Sequence, residues 1–331
     1  MRTCRYSVLV VFLGLEGIGR AQAPAGPCPE RSSAPFPSGG SREWSVPENL
    51  GATVNSTFNE VLAQLSPNGL SLYFTSDRPA PQGAPGTTDL WVSQRATLDG
   101  DWGPPINLGA NVNTSANERS PFVTPDGHFL YFASTREGGE GSFDLWVSFR
   151  HDTENDLGWR PAVPLGAAIN GPTQDFAPRF LERGDTGRPN LYFGSRRPTV
   201  TSDSDIYVSE LLPDGSFGPG EMVEELSTPD DDQGLTLRPD GLELFFNSNR
   251  PGSGLVDIWT STRESIFAPW SPPVNLGTRI NTQYADLFPA LSADGTTLVF
   301  TSNRPDDPHR VGGDDLYVTT RKKSSGMPGC W

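Results

Sequence analysis

Acidic residues recur at one position of the chain in five copies, each at the start of a short apolar segment. The five residues are Glu60, Glu118, Asp175, Asp232 and Asp286. Carboxylates held close together raise one another's pKa, so such a set could bind a cation or act as acid and base. A residue type that recurs in every copy is more typical of a structural role, in which each acid accepts hydrogen bonds from backbone N–H groups. Both interpretations stay open from the sequence.

An arginine and an aspartate flank one loop in each copy of the same repeat. The pairs are Arg78 with Asp89, Arg136 with Asp144, Arg197 with Asp205, Arg250 with Asp257, and Arg304 with Asp315. Because the two residues stand at the ends of adjacent strands, we expect their side chains to meet as bidentate ion pairs. Partly exposed pairs contribute about 1 kcal/mol or less each, so their expected role is to fix the shape of the loop.

Three residues depart from the repeat and are candidates for an asymmetric ligand site. Gln64 and Arg179 share one repeat position. In the other copies this position holds Phe122, Thr236 and Ala290. Tyr284 adds an aromatic side chain to the last connection between copies. With the recurrent acids, these residues would form one lopsided pocket for a sugar or a peptide, and ordinary drift of a repeat is the alternative.

Metal and cofactor signatures are weak in this sequence. Histidines stand at three unrelated positions of the repeat, namely His128, His151 and His309. This argues against a histidine metal site or a histidine base. No nucleophile elbow, phosphate loop or dinucleotide fingerprint occurs, so we expect no cofactor and no dedicated metal site. Ca²⁺ held by aspartate-rich loops, such as Asp203 with Asp205 and Asp314 with Asp315, is the one cation considered.

The segments that carry these residues follow one order in all five copies. After the acid, a first strand ends in an Asn-Gly or Asp-Gly turn at 66–69, 124–127, 238–241 and 292–295, and the third copy has a longer excursion at 182–190. Such dipeptides supply the positive φ angles of tight hairpin turns. An aromatic second strand then runs into Ser-x-Arg, and a third strand begins with the aspartate of each pair. A fourth strand carries Trp or Phe, then Pro, and often Asn-Leu-Gly.

The fourth strand of the last copy stands at the other end of the array, as EWSVPENLG at 43–51. A single blade cannot bury both of its faces, whereas a closed ring leaves no terminal blade exposed. The sequence therefore predicts an all-β, five-bladed β-propeller of four-stranded antiparallel blades over residues 43–323, with the N-terminal strand closing the last blade. Strand order places the recurrent acids and the second-to-third-strand loops on one face, here called the loop face. The hairpin turns lie on the opposite turn face.

The turns Ser-Pro-Asn-Gly at 66–69, Thr-Pro-Asp-Gly at 124–127 and Arg-Pro-Asp-Gly at 238–241, with the Arg-loop-Asp units, resemble the TolB-like Pro-Asp (WD40-like) β-propeller repeat family. The resemblance covers about residues 43–320. It implies a bacterial exported protein. Members of this family serve as protein-binding modules, as envelope scaffolds and occasionally as enzyme domains. The third copy lacks the Pro-Asp-Gly turn and TolB itself has more blades, so the resemblance does not name a function.

The two ends of the chain indicate export. Residues 1–25 combine a basic start, a short apolar core and small residues before a cleavage site, as in a signal peptide. Residues 26–42 form a lead segment and residues 324–331 a tail. In an oxidising periplasmic or extracellular compartment, Cys28 and Cys330 could form a disulfide, with two free thiols as the alternative.

Net charge narrows the classes of partner. A formal charge of −15 at pH 7 argues against nucleic acid and anionic membrane surfaces, and no segment after the signal is long enough to insert into a membrane. We therefore predict a monomeric, non-catalytic binding or scaffold module for a protein or a carbohydrate on the loop face. The alternative is a carboxylate-based enzyme, similar to a glycoside hydrolase or a lyase, with its site at the mouth of the central channel.

Overall fold

The computed structural model describes residues 43–81, 83–197 and 204–322, and the regular elements in these ranges are β-strands that form five four-stranded antiparallel sheets. This confirms the predicted five-bladed propeller. Across the described ranges there is no helix with the length and apolarity that a membrane span requires. The signal peptide, the lead segment, the tail and both candidate disulfide cysteines lie outside the described residues.

Blades are numbered along the chain, and the strands of each blade are given from the channel axis outward. Blade 1 consists of β2 (Glu60–Leu65), β3 (Ser71–Ser76), β4 (Asp89–Gln94) and β5 (Ile106–Asn107). Blade 2 consists of β6 (Glu118–Val123), β7 (Phe129–Ser134), β8 (Asp144–Phe149) and β9 (Val163–Pro164). Blade 3 consists of β10 (Asp175–Leu181), β11 (Asn190–Ser195), β12 (Asp205–Glu210) and β13 (Glu221–Met222). Blade 4 consists of β14 (Asp232–Leu237), β15 (Glu243–Ser248), β16 (Asp257–Thr262) and β17 (Val274–Asn275). Blade 5 consists of β18 (Asp286–Leu291), β19 (Thr297–Ser302), β20 (Asp315–Thr320) and β1 (Glu48–Asn49).

Blade 5 is completed by the first strand of the array, as the repeat count predicts. In β1, Glu48 pairs with Val318 of β20, and the backbone N–H of Ser45 donates to the carbonyl of Thr320 at 2.8 Å. Trp44 is only 6% exposed and meets the ring of Phe245 in blade 4 edge-on, with the centroids 5.9 Å apart. The ring is therefore closed by hydrogen bonds and by aromatic packing against the neighbouring blade.

The first strands surround the channel axis and contact one another around the ring, while apolar side chains fill the space between blades. The second strands supply one completely buried phenylalanine each, at positions Phe74, Phe132, Phe193, Phe246 and Phe300. Burial of such a side chain stabilises the fold by about 1.5–3 kcal/mol. The alternation of Gly-rich loops and short aromatic strands thus gives a continuous core that runs between neighbouring blades.

Every first strand contains a bulge near its start, which the sequence analysis does not predict. The third residue of each strand has a positive φ angle, and the register with the second strand shifts there. The residues are Leu62 (55°), Ser120 (59°), Ala177 (49°), Gly234 (65°) and Phe288 (52°). Four of the five are not glycine, so each holds a conformation that costs about 1–2 kcal/mol for an L-residue. Because all five blades share the bulge, its role is structural.

Candidate functional site

The five recurrent acids begin the first strands and are completely buried. In every blade the carboxylate accepts a hydrogen bond from the backbone N–H of the residue four positions earlier in the chain. These donors are Ser56 for Glu60 (2.6 Å), Thr114 for Glu118 (2.9 Å), Gly171 for Asp175 (2.6 Å), Thr228 for Asp232 (2.6 Å) and Thr282 for Asp286 (2.6 Å). In the four blades where the donor residue is Ser or Thr, its hydroxyl donates to the same acid. The geometry therefore agrees with the structural interpretation of these acids.

The arginine of each Ser-x-Arg forms an ion pair with the first-strand acid of its own blade. The Nη2 to oxygen distances are 2.7 Å for Arg78 and Glu60, 3.0 Å for Arg136 and Glu118, 3.4 Å for Arg197 and Asp175, 2.5 Å for Arg250 and Asp232, and 2.6 Å for Arg304 and Asp286. This corrects the expected pairs Arg78 with Asp89, Arg136 with Asp144, Arg197 with Asp205, Arg250 with Asp257, and Arg304 with Asp315. The arginines lock the channel mouth rather than the loop that follows them.

Strand register explains why the partner differs from the expected one. Ser76 pairs across β2 with Glu60 and across β4 with Asp89, so both acids flank the strand end from which Arg78 emerges. The guanidinium turns towards the axis because its Nη2 also donates to the carbonyl of Val54, at 2.7 Å. The guanidinium of Arg78 thereby joins the first-strand acid Glu60 to the connection that enters the blade.

The third-strand aspartates organise loops instead of binding arginine. Asp144 accepts the backbone N–H of Glu140 at 2.9 Å, and Asp315 accepts that of Val311 at 2.7 Å. In three blades the asparagine of the fourth strand also donates to this aspartate, as in Asn107 to Asp89 (2.9 Å), Asn275 to Asp257 (2.7 Å) and Asn49 to Asp315 (2.9 Å). The recurrent Asn-Leu-Gly is thus the outer anchor of the third-strand aspartate.

Asp89 is only partly satisfied by hydrogen bonds. Its side chain is buried, one oxygen accepts from Asn107, and the other, Oδ1, has no hydrogen-bond partner. Burial raises the pKa of Asp89 to about 6, and the nearby charge of Glu118 acts in the same direction. Blade 1 therefore holds a carboxyl group that titrates close to neutral pH.

The mouth acids are poorly suited to hydrolysis. A glycosidase presents two carboxyl groups to its substrate, about 5–10 Å apart. Here each of the five is buried and already bonded to a backbone N–H group and a guanidinium. For Asp175, burial raises the pKa while the N–H of Gly171 and the charge of Arg197 lower it. A ligand could reach these carboxylates only by replacing bonds that hold the connections between blades.

Gln64 and Arg179 lie deeper, on the first strands of blades 1 and 3. Arg179 is 2% exposed, its Nη1 donates to the carbonyl of Pro178 at 2.8 Å, and its guanidinium carbon lies 5.5 Å from the ring centroid of Phe122. Its Nε has no hydrogen-bond partner, and burial lowers its pKa to about 10. Gln64 donates to the carbonyl of Leu65 at 2.9 Å. Neither residue lines the cavity that contains Tyr284, so the expected single pocket is not formed.

An open cleft of about 1080 Å³ lies on the loop face, between blades 4 and 5. Tyr284 lines it from the connection between the two blades. Asp306 and His309 line it from the loop between β19 and β20, and Glu48 from the closing strand. Asn275, at the edge of blade 4, completes the cleft with an amide group. The cleft therefore combines an aromatic ring with carboxylate, imidazole and amide groups.

The acidic loop of this cleft was missed by the sequence analysis. Residues 304–315 separate the Arg and Asp of blade 5 by eleven positions, as in blade 1 and compared with seven or eight in blades 2 to 4, and this loop holds Asp306, Asp307 and His309. Loop length beside Tyr284 was the available signal. In the described part of the chain, no three His, Cys, Asp or Glu side chains are grouped as a metal site would require.

A second recurrent arginine, on the turn face, was also missed. It stands six residues after the third-strand aspartate, its Nε donates to the carbonyl of the turn glycine, and its guanidinium covers the fourth-strand tryptophan. The pairs are Arg95 with Trp102, Arg150 with Trp159, Arg263 with Trp270, and Arg321 with Trp44, at 4.2–4.6 Å. In blade 3 the position is Leu211. The constant spacing was visible in the sequence.

Neither a protein-family model nor a curated protein sequence matches the chain. Similar solved structures exist. A thermostable family-43 glycoside hydrolase is 13% identical, with 84% of this chain and 98% of that one covered and a TM-score of 0.54. An α-L-arabinofuranosidase from Lactobacillus brevis is 14% identical, with 82% and 95% covered and a TM-score of 0.51. A putative TolB from Agrobacterium tumefaciens is 16% identical, with 80% and 91% covered and a TM-score of 0.45. At these identities the chain shares a β-propeller fold with the two glycoside hydrolases, and the similarity extends to no activity.

Proposed function

We propose that this protein is an exported, non-catalytic binding module that holds a glycan in the cleft between blades 4 and 5. Ligand sites are concave and combine apolar or aromatic surface with a few polar groups that fix orientation. The ring of Tyr284 offers a stacking surface for a sugar, and Asp306 and His309 offer hydrogen-bonding groups around it. The cleft, with a volume of about 1080 Å³, is large enough for several sugar rings.

The observation that carries the proposal is the contrast between this cleft and the channel mouth. At the mouth, the recurrent carboxylates are consumed by backbone N–H groups and arginines of the same blade. In the cleft, polar groups that belong to one copy only, on Tyr284 and the 304–315 loop, border open space. Groups outside the repeat pattern are not needed to build a blade, and so they are available for a ligand.

The sequence motifs also support a family and a cellular compartment for this module. The repeat motifs support membership of the TolB-like Pro-Asp family, and the N-terminal segment supports export to the periplasm or the extracellular space. We propose that the module works as a monomer without a cofactor, and that a protein segment is the competing ligand for the same cleft.

Binding is tested on the purified protein with a glycan array followed by calorimetric titration of the best ligand. Tyr284→Ala should weaken binding about fivefold or more, because a stacked aromatic contributes about 1 kcal/mol or more. Phe267→Ala is the matched control, since this exposed aromatic side chain lies in blade 4 away from the cleft. Equal losses in the two variants, or binding that survives Tyr284→Ala, would remove the cleft from the proposal.

An enzyme remains the second candidate, because the fold is that of the glycoside hydrolases described above and the cleft contains Glu48 and Asp306. Aryl-glycoside hydrolysis by the purified protein decides between them. Turnover that disappears in both Glu48→Gln and Asp306→Asn would replace the binding proposal with a hydrolase. Binding without turnover in the wild type supports the module.

A further inference from the structure

The middle residue of Ser-x-Arg has a constant role in four blades. Its side chain accepts a hydrogen bond from the backbone N–H that immediately precedes the first-strand acid. The acceptors are Asp77 for Asn59 (2.8 Å), Thr135 for Asn117 (3.0 Å), Asn249 for Asp231 (2.8 Å) and Asn303 for Ala285 (3.1 Å). This bond fixes the loop face of the blade close to the channel mouth.

Blade 3 gives up this bond, because its middle residue is Arg196. A guanidinium has donors only and cannot accept from a backbone N–H group. The Arg196 side chain is exposed, and its Nε donates to the hydroxyl of Ser204 at 2.9 Å. A repeated backbone anchor has thus been exchanged for a positive charge at the mouth.

Arg119 of blade 2 places a second positive charge beside the first. Its guanidinium carbon lies 3.6 Å from the ring centroid of Phe143 and 4.8 Å from that of Phe176, and its Nη2 contacts the side-chain oxygen of Gln174 at 3.4 Å. The backbone N–H of Arg196 donates to the carbonyl of the same Gln174, at 2.9 Å. The side chain of Arg119 and the backbone of Arg196 therefore both contact Gln174, in the connection between blades 2 and 3.

No carboxylate in the described residues lies within ion-pair distance of Arg119 or Arg196. The neighbouring acids are engaged elsewhere, since Asp175 pairs with Arg197 and Asp231 accepts the N–H of Ser204 at 3.0 Å. The Nε of Arg119 is buried without a partner, and burial together with the charge of Arg196 lowers the pKa of Arg119 to about 10. The positive charges of Arg119 and Arg196 oppose each other with no acid paired to either, and an external anion would relieve this repulsion.

We propose that Arg119 and Arg196 form an anion subsite on the loop face, between blades 2 and 3, that binds a ligand through its carboxylate group. Planar guanidinium groups match a carboxylate through paired N–H donors. The Phe143 and Phe176 rings hold Arg119 in place, so less freedom is lost on binding. This subsite is separate from the cleft between blades 4 and 5 and goes beyond the function proposed for it.

The test is calorimetric titration of the purified protein with trigalacturonate, its neutral methyl ester and an acidic tripeptide. The wild type should bind a free carboxylate probe and discriminate against the ester. Arg119→Gln and Arg196→Gln should each weaken that binding about tenfold or more. Arg188→Gln, which removes an exposed arginine of blade 3 paired with Glu210, should leave it unchanged. Binding of the uronide or of the peptide tells which molecule carries the carboxylate.

The subsite is refuted if no carboxylate probe binds at millimolar concentration, if the ester binds as well as the acid, or if all three variants bind alike. Loss of folding is a separate matter, checked by thermal unfolding. Arg196→Gln is the safer variant because that side chain is exposed. Tyr284→Ala should retain carboxylate binding, so failure of the cleft and failure of this subsite give different results.

Discussion

The buried charged side chains of this propeller are of two kinds, those that form an ion pair within their own blade and those that form none in the described residues. Asp232 and Arg250 belong to a set that recurs in every blade, and each has its partner within the same blade. Arg179 and Asp89 are buried to a similar degree, yet Arg179 contacts no acid and one oxygen of Asp89 has no hydrogen-bond partner. The recurrent pair of Asp232 and Arg250 is balanced within its blade, whereas Arg179, which departs from the repeat, and Asp89, which belongs to it, each bury a polar group without a hydrogen-bond partner.

The largest expected effect comes from breaking a recurrent pair. Asp232→Ala leaves the guanidinium of Arg250 and the N–H of Thr228 without their acceptor inside the fold, so we expect a loss of about 3–5 kcal/mol in the free energy of unfolding. Urea denaturation measures it. The control is Glu210→Ala, which breaks an exposed pair with Arg188 and should cost about 0.5 kcal/mol or less. A loss below 1 kcal/mol for Asp232→Ala would contradict the distinction between the two kinds of charge.

A smaller effect of opposite sign is expected for Arg179. Arg179→Met removes a buried charge that no acid balances and keeps most of the side-chain volume. We expect stability to be unchanged or to rise by about 1–2 kcal/mol. Arg250→Met is the matched substitution and should destabilise, because it leaves Asp232 buried and charged. If both substitutions change the urea midpoint in the same direction, the comparison fails.

The smallest effect concerns Asp89 and depends on pH. Its pKa is about 6 in the folded protein, above the ordinary value of 3.8, so the folded state binds a proton more tightly than the unfolded state. The contribution of this group to stability is therefore greatest at low pH and is lost as pH rises through about 4 to 6. Asp89→Asn keeps an acceptor for Asn107 and should raise stability at neutral pH by about 1 kcal/mol. Asp89→Asn should also make the free energy of unfolding less dependent on pH between about 4 and 6. The control Asp101→Asn, at an exposed position, should change neither the stability at neutral pH nor its pH dependence.

The fold was predictable because strand order, hairpin turns and the displaced fourth strand are all local signals that recur. The pairing of arginines was not. Ser76 stands between Glu60 and Asp89 in the sheet, so both acids are equally near to Arg78 in any reading of the repeat. The choice depends on the direction of one side chain and on the carbonyl of Val54, which the sequence does not encode locally.

Other features escaped the sequence for different reasons. The first-strand bulge places Leu62 and Phe288 at positive φ, and such residues give no sign of a left-handed backbone. The cleft beside Tyr284 depends on how the 304–315 loop folds, and loops that deviate from a repeat have no second copy to compare. Arg119 and Arg196 were visible as departures, but only the hydrogen bonds of the other four blades reveal what Arg196 replaces.

The closing strand has one more consequence. Since Ser45 and Thr320 are hydrogen-bonded neighbours in one sheet, a short linker from Lys322 to Glu43 would turn the array into a continuous circle. New termini could then be opened at an exposed part of a hairpin turn, such as Pro125-Asp126, to give a circular permutant in which all four strands of blade 5 are covalently consecutive. The order of blades along such a chain would become arbitrary, while their order around the axis would not change.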